Sequence, residues 1–361
     1  MTAKPLTILL AIALWLFVML AISAFYLQSW LQTPDLIPPE NQELLVERGE
    51  SLISVAHRLH RADIIRWPRA WVYYARIFEP APIKTGEYRL PENASPLDIL
   101  HQLQAGEVVV YPVTFVEGWT FNTMLEVLGN LQNIEHQLKG LAGDEVIAAL
   151  GLTIGHPEGW FFPDTYYYVS GDTDAQILLR AHERMQHILE LEWRARAVGL
   201  PYETAYDALI MASIVEKETG VPHERDEIAG VFVRRLQKRM RLQTDPTVIY
   251  GLGSDYDGNL RRADLFRATP YNTYTQAGLP PTPIAMPGRE AIHAALHPKD
   301  GDALYFVARG DGSHYFSATL EEHINAVRRY QKRGRRDDYR SSPQIQPPAQ
   351  TDVPAERTTN E

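Results

Sequence analysis

The run Ala212-Ser213-Ile214-Val215-Glu216-Lys217-Glu218-Thr219 lies in an apolar stretch with helical spacing and brings two carboxyls close together. At ~100° of rotation per residue, Glu218 shares an angular sector with Met211, Ile214 and Val215, whereas Glu216 points almost the opposite way, past Ala212 and Leu209. A carboxyl set against apolar surface loses the hydration of its charged form. Its pKa rises, so it can hold a proton near neutral pH and deliver it to a leaving group. Glu218 is therefore the candidate general acid. Glu216 is expected to face polar surroundings and to serve structure, paired with Arg225 or Arg235. Taken alone, the triplet also suits an ordinary Glu-Lys-Glu cluster near a helix end, so the rest of the chain has to decide.

Three loop segments are rich in residues that bind sugars: Glu158-Gly159-Trp160-Phe161-Phe162-Pro163-Asp164-Thr165-Tyr166, Arg241-Leu242-Gln243-Thr244-Asp245-Pro246-Thr247 and Tyr271-Asn272-Thr273-Tyr274. Aromatic faces stack on the C–H faces of pyranose rings, and convergent amides, hydroxyls and carboxylates fix their orientation. Gly278-Leu279-Pro280-Pro281 and Pro287-Gly288 stiffen the stretch that follows. Each segment alone is also an ordinary capped turn; beside Glu218 they suggest a carbohydrate cleft.

The elements that would position these groups give an α+β chain. Residues 6–27 are almost wholly apolar, long enough for a bilayer core. Lys4 lies on one side and Asp35 and Glu40 on the other, so the positive-inside rule places residues 1–5 in the cytoplasm and everything after Gln28 outside. A cleaved signal peptide is the rival; bulky Phe25, Tyr26 and Leu27 stand where a cleavage site has small residues. Residues 28–42 read as a polar connector. A strand over 44–48, a helix N-capped by Ser51, a helix over 68–77 and a strand over 86–90 make a small module that, with the helix over 96–105 stopped by Gly106, spans 43–106. In size and order it resembles a LysM domain, a carbohydrate-binding unit; a structural spacer would look the same.

A strand over 108–116 opens a larger domain, 107–335, expected to carry the catalysis. Helices are expected around 121–128 and over 144–150, 174–197, 202–219, 228–240 and 288–296, and paired strands over 304–308 and 315–317 across Gly310-Asp311-Gly312. The tail, 336–361, has the composition of a disordered segment.

The formal charge of −10 excludes nucleic acid as a partner, since phosphate binding needs a concentrated basic surface. Without cysteine the exported part has no disulfides. His182-Glu183 with His187 imitates a zinc-protease motif, but the second His is five residues on, out of line on a helix. Asp255-Tyr256-Asp257-Gly258 lacks the third ligand of a calcium loop, and His156, His223, His297 and His314 are scattered along the chain. No metal and no cofactor are expected.

The run 212–219 is followed by Glu224-Arg225, Arg235-Leu236 and Met240-Arg241-Leu242-Gln243-Thr244-Asp245-Pro246-Thr247-Val248-Ile249-Tyr250-Gly251. With Tyr271-Asn272-Thr273-Tyr274, Gly278-Leu279-Pro280-Pro281 and Ile284-Ala285-Met286-Pro287-Gly288, it closely resembles the YceG-like family of endolytic murein transglycosylases. The resemblance extends over nearly the whole chain up to about Arg336; Pro283 departs from the small residues family members often have there. It places the family's catalytic glutamate on Glu218. It implies cleavage of the β-1,4 bond between N-acetylmuramic acid and N-acetylglucosamine within a strand, leaving a 1,6-anhydromuramoyl end. A single acid can then suffice, because the sugar's own C6 hydroxyl replaces water.

In that scheme Gln243, Thr244 and Asp245 would bond the substrate or orient Glu218, with Asp245 also able to stabilise the positive transition state. Tyr271, Asn272 and Tyr274 would line the subsites, and Glu158, Trp160 and Asp164 would support from the opposite wall. The family's role beside peptidoglycan synthases, the penicillin-binding proteins, fits an anchor in the inner membrane with the catalytic domain in the periplasm. A non-catalytic glycan-binding scaffold, and a hydrolytic muramidase using Asp164, Glu158 or Asp245 as base, are the competing readings.

Overall fold

The computed structural model describes residues 4–218 and 220–333. It is a mixed α+β chain of two compact units; among the described residues, 4–111 with 168–172 form the first and the remainder the second. The expected disordered tail over 336–361 lies outside the described residues.

In the first unit α1 (Lys4–Gln32) is followed by β1 (Asp35–Leu36), β2 (Glu43–Val46), α2 (Leu52–Arg61), α3 (Pro68–Phe78), β3 (Gly86–Arg89), β4 (Asn93–Ala94) and α4 (Pro96–Ala105). The stretch Thr7–Gln32 is long and apolar enough to cross a membrane. Local sequence sets the other ends. Ser51 caps α2 by accepting from the Ser54 N–H, Ser95 and Asp98 form a reciprocal capping box on α4, and Gly106 ends it at φ +76°. β2 and β3 pair antiparallel with Leu44 opposite Tyr88, and Val46, Val55, Leu59, Trp71, Tyr88 and Leu100 fill the core between them and the helices.

The connector expected over 28–42 is not a free linker. α1 continues to Gln32, Leu31 and Ile37 are buried in the core, and Asp35–Leu36 pairs with Asn93–Ala94. The apolar pairs Trp30-Leu31 and Leu36-Ile37, set among polar residues and prolines, carry no helix or strand period, which is why the stretch reads as a connector.

The second unit continues β5 (Val110–Thr114), whose strand partner is β6 (Thr165–Val169); both strands are divided between the two units. Between them lie α5 (Phe121–Gly129) and α6 (Gly143–Ala149). Then come α7 (Asp174–Arg194), α8 (Ala205–Glu218), α9 (Arg225–Gln237), α10 (Asp245–Leu252), α11 (Arg289–Leu296), the hairpin β7 (Tyr305–Ala308) and β8 (His314–Ser317), and α12 (Leu320–Val327) with a π-helical turn at Arg328–Arg333.

Helix α8 is central, packed by α7, α9, α10 and α11. Every residue from Ala208 to Val215 is buried. It begins three residues later than expected, because Asp207 accepts from the Glu203 and Thr204 N–H groups while Tyr202 leaves the helix to donate to the Ala295 carbonyl. Thr219, its expected last residue, lies outside the described residues. Helix α10 is not among the expected helices: Pro246 in the 241–247 loop segment occupies the first turn of a helix, where its missing N–H is harmless.

Candidate active site

Glu218 ends α8 half-buried, where the helix has run out of neighbours that cover it completely. Its carboxyl is pushed up to about 7, chiefly by burial and further by the negative charge of Asp245; the Thr244 hydroxyl and the Arg235 guanidinium pull the other way. Among the described residues the hydrogen-bond donor to Glu218 is Thr244, through Oε1.

The strip Gln243-Thr244-Asp245 alternates exposed, buried, exposed, so Thr244 points inward at Glu218 while its neighbours face out. Gln243 adopts φ +53°, a left-handed conformation that redirects the chain into α10. The loop at 271–274 supports this strip from beneath: the Thr244 N–H donates to Thr273 Oγ1 at 3.1 Å and Gln243 N–H to the Thr273 carbonyl at 3.2 Å. Tyr274 donates to Asp245 Oδ1 at 2.5 Å, fixing the acid that acts on Glu218. Arg235 is buried behind the strip, donating to the Leu242 carbonyl at 2.8 Å and to Leu304 at 2.6 Å, with Gln243 Oε1 at 3.4 Å.

Asn272 is not a subsite residue. It is 0% exposed, its amide N–H donates to the carbonyls of Asp264, Leu265 and Arg267, and its oxygen accepts from Tyr274 N–H. It holds the loop that holds Tyr274.

Glu158 is 3% exposed, and both of its carboxyl oxygens are engaged by the protein. It accepts from Phe121 N–H at 3.0 Å and from Tyr250 O–H at 3.0 Å, and burial pushes it up to about 7. A cavity of about 260 Å³ lined by Phe121, His156, Glu158 and Tyr250 adjoins it. Tyr271 meets Tyr250 edge-on at 4.9 Å and bonds Thr282 at 2.9 Å. Trp160 has one face stacked on Tyr206 at 5.6 Å, and Asp164 pairs with Arg184 at 2.5 Å. The structure thus gathers Gln243, Thr244, Asp245 and Tyr274 at Glu218, and groups Glu158 with Tyr250 and Tyr271; no hydrogen bond or ion pair among the described residues links Asp164 or Trp160 to Glu218.

The YceG-like family model matches residues 44–329. The chain belongs to the YceG-like family. It is similar to a Bacillus subtilis protein named endolytic murein transglycosylase, 32% identical over 302 residues that cover 79% of this chain and 83% of that one. A Streptococcus pneumoniae protein of the same name is 27% identical over 317 residues, 78% of this chain; the match spans only 57% of the pneumococcal length. A crystal structure of a YceG-like protein from Listeria monocytogenes aligns with a TM-score of 0.49 at 29% identity, covering 78% of this chain and 98% of that one.

In this YceG-like chain Glu216 also is buried. It accepts from Gly288 N–H at 3.0 Å and lies 3.7 Å from Arg225, not Arg235, and burial pushes it up to about 6. Angular position on α8 thus sets which partners each acid meets, while burial is common to both. Arg235, expected as a partner of Glu216, instead braces the strip beside Glu218, and Tyr250 acts on Glu158 without an expected role; neither has a local pattern that betrays a partner 69 or 92 residues away. Nor was the convergence of Glu192, His293 and His297 anticipated, whose ligand atoms lie within 4.8 Å of one another; Glu192 is engaged there by Arg289 at 2.9 Å and His293 at 2.8 Å.

Proposed function

We propose that this chain is a membrane-anchored endolytic murein transglycosylase, a lyase that cuts between N-acetylmuramic acid and N-acetylglucosamine inside a glycan strand. The observation that carries this is Glu218: a half-buried carboxyl held at about 7, with one oxygen fixed by Thr244, in a family whose relatives are named for that activity.

The Thr244 hydroxyl occupies Oε1, so the proton resides on Oε2. It passes to the glycosidic oxygen as the bond from that oxygen to muramic C1 breaks. Positive charge grows at C1 and the ring oxygen, and the Asp245 carboxylate, steadied by Tyr274, stabilises it. The carboxylate of Glu218 then takes the C6 hydroxyl proton as O6 bonds to C1. A 1,6-anhydromuramoyl end and a free glucosaminyl 4-hydroxyl result, Glu218 is again protonated, and no water is consumed. Gln243, exposed beside this acid, and the aromatic edges of Tyr271 and Tyr274 bind the strand.

Helix α1 serves as an uncleaved inner-membrane anchor, with its amino-terminal end in the cytoplasm and both units in the periplasm. The order β2-α2-α3-β3 supports a LysM-like glycan-binding role for the first unit. Such an arrangement keeps the lyase beside strands emerging from penicillin-binding synthases.

The test is mass spectrometry of fragments released from long, unreduced strands by the detergent-solubilised full chain, beside Glu218→Gln. Ends lighter by one water, absent with the variant, are expected. Ordinary reducing ends would make the protein a hydrolase, and strands bound but uncut would make it a scaffold.

A further inference from the structure

In a chain of net charge −10, the segment 66–78, Arg-Trp-Pro-Arg-Ala-Trp-Val-Tyr-Tyr-Ala-Arg-Ile-Phe, has three arginines and no acid. Helix α3 buries Trp71, Val72 and Ala75 and packs on α2. Its outer side carries Arg69, Tyr73, Arg76 and Ile77, spaced i, i+4, i+7 and i+8 and so on one face, with Phe78 at the end. Tyr73 is 63% exposed and Ile77 and Phe78 67% each. Among the described residues Arg66, Arg69 and Arg76 make no ion pair.

The place of this face in the unit supplies the occupant. Helix α1 exposes its apolar side chains from Ile8 to Tyr26, and its last turns then join the unit's core through Leu27, Trp30 and Leu31. Trp30 packs at 5.0 Å on Trp67, the N-cap of α3, and the Arg66 guanidinium lies 5.3 Å over the same ring. At 1.5 Å per residue Trp30 is about one turn beyond the end of the apolar run, the depth at which tryptophans sit among headgroups. The start of α3 is therefore fixed at the level of the membrane surface that α1 enters.

We propose that the outer face of α3 lies on that surface, its arginines meeting the phosphates of anionic lipids and Tyr73, Ile77 and Phe78 entering the headgroup boundary. The proposal rests on α1 spanning the bilayer. A second contact of this kind holds the first unit against the membrane instead of leaving it to swing on a single helix.

The absence of native cysteine allows a clean probe. Full-length Tyr73→Cys, labelled with an environment-sensitive fluorophore, is placed in lipid nanodiscs of phosphatidylglycerol mixed with phosphatidylcholine, or of phosphatidylcholine alone. Blue-shifted emission, quenched by shallow spin-labelled lipid and dependent on phosphatidylglycerol, is expected. Adding Arg69→Glu and Arg76→Glu should return it toward the water-exposed value. Water-like emission in both discs would overturn the proposal, and so would a shift that needs added glycan strands instead of anionic lipid. Failure of the chain to co-purify with discs would instead remove the anchor reading beneath it.

Discussion

Glu158 and Glu218 are both pushed up to about 7 by burial, yet their surroundings differ in kind. Glu158 has both oxygens occupied by the protein: one receives the backbone N–H that opens α5, the other the Tyr250 hydroxyl from α10. Its carboxyl ties two helices together. Glu218 is half-buried at a helix end, with Thr244 on one oxygen and opposed charges, Asp245 and Arg235, setting its proton affinity. A raised pKa therefore measures desolvation; catalysis additionally needs an oxygen that a substrate can reach.

The contrast is broken most directly by Glu218→Gln and Glu158→Gln in parallel. Loss of a general acid lowers turnover by roughly 10²- to 10⁴-fold, and that is expected for Glu218→Gln with an unchanged melting curve. Glu158→Gln should leave most of the cleavage intact. Equal loss in both, at unchanged stability, would place Glu158 in the chemistry.

The next largest effect concerns the buried acid on the other side of α8. Arg225→Ala removes the ion-pair partner of Glu216, leaving only Lys217 to act on it, at a cost of up to about 3–5 kcal/mol for a buried pair. Glu216 escapes part of this by taking up a proton. Its folded pKa, about 6, lies above the ordinary 4.5, so its protonation adds stability that is complete below the unfolded value and is lost as pH rises through 6. Without Arg225 the folded value rises further. Denaturant titrations should therefore show the variant's deficit growing between pH 5 and pH 8; a deficit independent of pH would mean that Arg225 acts through Glu290 or Glu117 instead.

Tyr250→Phe tests the structural side of the comparison. It strips the donor from one Glu158 oxygen while keeping the ring, and a buried acceptor left unpaired costs about 1–3 kcal/mol. The chain should unfold at lower denaturant with cleavage per folded molecule nearly unchanged. A collapse of activity without destabilisation would show that the Tyr250 hydroxyl, through its bond to Glu158, acts in the cleft.

Much of this was legible in local chemistry. Ser51, Ser95 and Gly106 mark helix ends, and Gly310-Asp311-Gly312 marks the β7–β8 hairpin, because caps and turns are decided by neighbours in sequence. Helix α8 shows the limit. Its angular pattern separated Glu218 from Glu216, but a helix buried on all sides cannot show by periodicity which acid keeps access to a ligand. Asn272 stands beside Tyr271 and Tyr274 in a polar loop, and composition alone cannot tell a residue that faces a ligand from one that braces the loop behind it. Leu31 and Ile37 read as linker for the same reason: their partners are distant in sequence.

The smallest effects sharpen the comparison furthest, because they have opposite signs. If protonated Glu218 is the acid, kcat/KM falls as pH rises through its pKa, about 7. Asp245 raises that pKa, so Asp245→Asn should move the falling limb to lower pH. The Thr244 hydroxyl lowers it by bonding the charged form, so Thr244→Val should move the limb to higher pH. Glu158 has no such pair of levers on cleavage, and Tyr250→Phe should leave the limb where it is. Rate profiles of the three variants between pH 5 and pH 9 decide the matter: two limbs displaced in opposite directions locate the titrating acid at Glu218, whereas limbs that fail to separate would require another group to supply the proton.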